Sequence, residues 1–175
     1  MANDKRLTQP MLLNTKILGK IFMSIFNKLF TTNRTDNPSD ITGYFASLFI
    51  GEEQVLFVGL FSDGTVNRMG TGSLENLEKD MFIGKTSPDV FEIVKKMISN
   101  DLLKWFNSQH SDPAAKGMPC KLTLGFKQRD GKELISIWQY GSESMSPPPE
   151  VYEFLLKSIE FTNPWYEERK RATKS

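Results

Sequence analysis

Histidine and cysteine occur once each in this sequence, as His110 and Cys120. That scarcity removes the usual material of two kinds of chemistry. Structural zinc sites take four ligands drawn mainly from Cys and His, so a single chain of this composition does not assemble one, and neither a metal nor a cofactor is expected. Acid–base and nucleophilic sites most often recruit His or an activated Cys, and neither residue sits in a motif. His110 neighbours Ser111 and Asp112, but a Ser–His–Asp triad is a constellation in space and not a run of adjacent residues. The Pro, Gly and Asp content of residues 110–119 predicts a loop, and with it a solvent-exposed imidazole. Cys120 opens a predicted strand beside Lys121 and reads as a small buried hydrophobe. With one cysteine no intrachain disulfide forms, which suits a reduced compartment.

Long apolar runs are missing too. A membrane-crossing helix wants about 20 mostly apolar residues, whereas residues 11–30 are interrupted by Lys16, Lys20 and Lys28 and lack the small-residue cleavage site of a signal peptide. The expected location is therefore the cytoplasm, with a membrane-peripheral alternative. Phosphate cradles are equally scarce. The only Gly-rich stretch that could mimic one is Gly70-Thr71-Gly72-Ser73-Leu74, without the Lys-Ser or Lys-Thr pair of a P-loop or the spacing of a dinucleotide site. Ser73 as the cap of a short helix over residues 74–80 explains it. Paired carboxylates across a cleft would leave no mark in a sequence; Glu52-Glu53 reads as a solvated hairpin tip, Asp63-Gly64 and Asp130-Gly131 as turns, and Asn67 and Arg68 equally well as the lining of a pocket or as an exposed strand face.

A surplus of one charge sign is absent from the whole but not from its parts. The formal net charge is +1. Residues 1–35 hold six bases (Lys5, Arg6, Lys16, Lys20, Lys28, Arg34) against Asp4, a net +5, and the remainder holds 16 bases and 20 acids, a net −4. Nucleic acid is not an expected partner, since phosphate recognition needs a basic surface on the domain itself.

What is present is patterning. In residues 11–30, Ile17, Leu18, Ile21, Phe22, Ile25, Phe26, Leu29 and Phe30 recur at helical spacing with lysines opposite, which predicts a basic amphipathic helix over the segment 1–30. Met23 also reads as a translation start. Residues 31–40 are polar and form a linker. The α+β domain is expected over 41–163: a hairpin of 44–50 and 55–61, a third strand at 65–69, a long helix from the Ser87 cap through Asn107, a hairpin of 121–127 and 134–140 across Asp130-Gly131, and a helix over 150–161. That makes an antiparallel sheet of about five strands with two main helices packed on it. Pro164 should end the last helix, leaving 164–175 as a charged tail.

These features favour a non-enzymatic protein-binding module of inhibitor, immunity-type or adaptor role, engaging another protein or a second copy of itself through its sheet face or its aromatic tail. Trp165 and Tyr166, beyond the last helix, together with Phe22, Phe26 and Phe30, are the expected partner contacts, because aromatics bury large area at low entropic cost. Trp105 and Trp138 are expected in the core. The alternative is a peripheral membrane protein whose Lys16, Lys20 and Lys28 face an anionic surface. A hydrolase or transferase working through carboxylates alone ranks third.

Overall fold

The computed structural model describes residues 37–144 and 147–173. Asn37 accepts the Ser39 N–H at 3.0 Å and caps a single 3-10 turn, Pro38–Asp40, that leads into the first strand. Seven strands follow: β1 (Ile41–Ile50), β2 (Glu53–Phe61), β3 (Thr65–Met69), β4 (Phe82–Lys85), β5 (Gln109–Ser111), β6 (Pro119–Gln128) and β7 (Glu133–Gly141). They make one sheet in the order β4-β3-β2-β1-β6-β7-β5. Three helices complete the unit: α1 (Pro88–Lys95), α2 (Asn100–Leu103) and α3 (Pro149–Thr173).

The α+β class stands, and the expected hairpins are all present, because alternating side chains and Gly-bearing turns act together. Asp63 Oδ1 accepts the Thr65 N–H at 2.9 Å and Gly64 takes φ 79°. At the second turn Asp130 Oδ1 accepts the Lys132 N–H at 3.1 Å and Gly131 takes φ 86°. The strand count is seven, however, and the sheet is mixed. β4 and β5 are short edge strands, and β5 runs parallel to β7 with His110 opposite Trp138. The helix expected over residues 74–80 does not form; Ser73 Oγ accepts the Glu75 N–H at 3.1 Å in a turn, and the chain runs on into β4.

The expected helix over 87–107 is two short ones. Ser87 caps α1 as anticipated, but Ser99 Oγ takes the Leu102 N–H at 3.2 Å and starts α2 afresh. A hydroxyl that satisfies a first-turn amide competes with continuation of the preceding helix. The last helix departs the other way and continues through Pro164 to Thr173. An interior proline costs about 3 kcal/mol. Here the turn it sits in is anchored by Trp165 and Tyr166, 7% and 1% exposed, and burying aromatics of that size contributes about 1.5–3 kcal/mol each.

All three helices feed one core. Phe91 and Val94 of α1, Leu102 and Leu103 of α2, and Val151, Phe154 and Leu155 of α3 join Tyr44, Ala46, Leu56, Val58, Leu60, Val66, Leu122, Leu124, Phe126, Leu134 and Trp138. Within each strand those are alternate positions, so they lie on one face of the sheet. Edge-to-face pairs of Phe154 with Tyr44 at 5.1 Å and with Phe126 at 5.2 Å fix α3 there.

Candidate functional site

The opposite alternate positions form a second face that takes no part in this core. It carries Phe45 and Phe49 on β1, Phe57 and Phe61 on β2, Met69 on β3, Ile83 on β4, and Ile135 and Ile137 on β7. The phenylalanines are half-buried, while Ile83 is 71% exposed and Ile135 36%. Glycines sit between them and have a use. A Cβ at Gly43 would collide with the Phe61 ring, and one at Gly125 with the Phe45 ring. The rings therefore lie down across the glycines, giving a surface of low relief. Polar groups share this face: Gln54 Nε2 donates to Ser47 Oγ at 3.2 Å, Thr65, Asn67 and Lys85 lie on β3 and β4, and Lys121, Thr123, Lys127, Glu133 and Gln139 occupy its far strands.

A polar cluster forms where α3 crosses β3. Arg68 is fully buried on the helix-covered face, on neither the exposed strand face nor the pocket lining that its position had suggested. Its Nε donates to Thr162 Oγ1 at 3.0 Å, Nη1 to Gly70 O at 2.7 Å and Nη2 to Asn163 Oδ1 at 2.9 Å, and its guanidinium lies 4.9 Å from the centroid of the Tyr166 ring. Burial among neutral acceptors pulls Arg68 down to about 10, so it stays charged at neutral pH. The Tyr166 hydroxyl accepts the Gly70 N–H at 2.9 Å and donates to Glu78 Oε2 at 2.8 Å. Gly70 holds φ 68°, and a Cβ there would strike the Val55 carbonyl. Lys170 completes the cluster with contacts of 2.6 Å to Glu78 and 3.0 Å to Glu167.

These groups border a cleft of about 270 Å³ lined by residues 77–80, Phe82, Tyr166, Lys170 and Thr173. Burial, then donation to Glu78, pushes Tyr166 up to about 12, while Glu78 and then Glu167 raise Lys170. At neutral pH the phenol keeps its proton and the amine its charge. The arrangement braces α3 against the β3–β4 connection and presents no neutral amine or phenolate.

His110 lies in β5 and is half-buried, where a loop position had been expected. Its ring stacks on Trp138 at 5.2 Å and 12° and stands edge-on to Trp105 at 5.7 Å; Nε2 lies 2.9 Å from Trp105 O and 2.8 Å from Ser108 Oγ. A carbonyl only accepts, so Nε2 carries the hydrogen for the Trp105 contact. The ring holds β5 to the sheet. Cys120 is buried, and burial pushes its thiol up.

Of the partner contacts expected from sequence, Trp165 and Tyr166 prove to be buried side chains. Trp165 Nε1 donates to Lys85 O at 2.9 Å and its indole lies against Gly84. The expectation failed because Pro164 was read as the end of the helix. Phe22, Phe26, Phe30, Lys16, Lys20 and Lys28, with the amphipathic helix expected there and most of the expected linker, lie outside the described residues. Trp138 is in the core and Trp105 packs against it. The sheet face expected as the other contact surface was named without residues; the signal that would have picked them out is the alternation of Phe45 with Phe49 and of Phe57 with Phe61.

Among the described residues no three His, Cys, Asp or Glu side chains gather as a metal site would require, and no helix is long and apolar enough to cross a membrane. No family model, no curated protein and no solved structure matches this chain.

Proposed function

We propose that this chain is a non-enzymatic binding module that engages another protein through the helix-free face of its sheet, in an inhibitor, immunity-type or adaptor role. One observation supports the reading: among the described residues all helices lie on one side of a seven-stranded sheet, while the other side carries an apolar set with Ile83 and Ile135 open to solvent. Contiguous apolar surface of that kind marks interaction sites. The charged groups of the cleft contact one another, which leaves the flat face as the larger unsatisfied feature.

Photo-crosslinking residues at Ile83 and Ile135, compared with Glu153 and Lys157 on the outer side of α3, test the proposal in the native host. Discrete adducts from the first pair alone are expected. Equal labelling from both pairs, or a turnover abolished by a single substitution at Glu78, Tyr166 or Lys170, would overturn it.

The second reading, attachment to an anionic membrane through residues 11–30, rests on the lysines opposite the apolar stripe. Co-sedimentation of the full chain with phosphatidylserine vesicles should fall at least tenfold when Lys16, Lys20 and Lys28 are all changed to Glu. Unchanged sedimentation would dispose of it.

A further inference from the structure

We propose that the occupant of the helix-free face is a second copy of this chain, giving a two-fold dimer of stacked sheets; this rests on the binding-module reading and names its partner. The register carries the argument. Ile83, Asn67, Gly59, Phe45, Gly125 and Ile135 lie on one rung that crosses the sheet from β4 to β7. Two residues further along, Lys85 on β4, which also holds Asp63 Oδ2 at 2.7 Å, and Glu133 on β7 end the next rung of the same face.

A two-fold axis lying in the face, along the strands and between β1 and β2, exchanges the β4 and β7 margins. It sets Ile83 against Ile135 of the partner subunit and Lys85 against Glu133 of the partner subunit, so that apolar meets apolar and cation meets anion at both ends of the contact. Isologous interfaces require this self-complementarity. A partner selected by charge would call for margins of one sign. The rings laid over Gly43 and Gly125 keep the centre flat, as face-to-face sheets about 10 Å apart require. The strands that overlap under this axis have a footprint of about 600 Å², the lower end of what each side of a standard interface contributes.

The test uses the full chain. Sedimentation equilibrium should return twice the 20.0 kDa chain mass at micromolar concentration. Ile83→Lys, at a site already 71% exposed, should raise the dissociation constant at least tenfold without altering the circular dichroism. Glu133→Lys should do the same, and combining it with Lys85→Glu should recover most of the loss. In a mixture of Ile83→Cys and Ile135→Cys proteins, a bismaleimide with a reach of about 10 Å, the spacing of stacked sheets, should link the two chains, and Ile83→Cys mixed with Glu153→Cys should not link.

A chain that stays monomeric at 100 µM, or a dimer indifferent to Ile83→Lys and Glu133→Lys, overturns the proposal. The photo-crosslinks separate its failure from that of the broader reading. Adducts to a different protein at Ile83 and Ile135 would leave the binding module standing without the dimer. No adducts at all would end both.

Discussion

Replacing Arg68 by Met tests whether the buried guanidinium stabilises the fold or burdens it. Three short hydrogen bonds hold it, to Thr162 Oγ1, Gly70 O and Asn163 Oδ1. Bonds from a charged donor are worth about 1.5–3 kcal/mol each. Methionine fills similar volume and removes a desolvation cost of several kcal/mol, which cancels much of that gain. What remains is set by the acceptors left behind. Asn163 is exposed and turns to water, and Thr162 Oγ1 keeps its bond to Ser158 O at 2.7 Å. Gly70 O loses its short partner inside the packed β3 end, at about 1–3 kcal/mol, and the contact with the Tyr166 ring goes as well, at about 1 kcal/mol. The expected loss is about 2–4 kcal/mol. With a urea m-value of about 2 kcal/mol/M, the unfolding midpoint should fall by about 1–2 M with m unchanged. A midpoint that holds or rises would refute the reasoning and show that desolvation outweighs the hydrogen bonds.

Three further predictions follow from burial and charge. Tyr140 and Tyr166, both pushed up to about 12 mainly by burial, should ionise late in an absorbance titration at 295 nm, and Tyr166→Phe should remove one late step; because the folded value is raised, their contribution to stability is complete below pH 10 and lost as pH climbs through 12. Asp63 is held well below the usual carboxylate range by Lys85 first and then by the Thr65 amide and hydroxyl; its contribution is present above about pH 4 and lost as pH falls further, so the stability gap between wild type and Asp63→Asn should close in acid, and a gap constant from pH 7 to pH 2 would contradict this. Gly125→Ala should lift the Phe45 ring and lower stability by about 1–3 kcal/mol in thermal unfolding, whereas Gly131→Ala should meet no neighbour and act only through its φ of 86°.

The hairpins could be read from the chain because two local signals coincide in each, alternation along the strand and a turn that needs glycine. The edges could not. β4 is four residues long and β5 three, too short to show a period, and β5 owes its place to the stacking of His110 on Trp138. Pro164 misled for a related reason. A proline is a local stop signal, and the burial of Trp165 and Tyr166 that overrides it comes from β3, β4 and Glu78, far away in sequence. Arg68 shares parity with Val66, which pointed inward, but an arginine on a strand is ordinarily solvated. The sheet face could be expected as a contact surface but not resolved into residues, because strands apolar on both sides do not say which side the helices take.

β1 lies in the middle of the sheet although it is the first of the described strands, and it needs β2 on one flank and β6 on the other. During synthesis the β1–β4 meander leaves the ribosome early, whereas β6 waits until α1 and α2 have passed. In that interval one border of β1 presents a row of open backbone groups, of the sort that recruits stray strands. Quick capture of that border by β6 would be the step on which clean folding, rather than aggregation, depends.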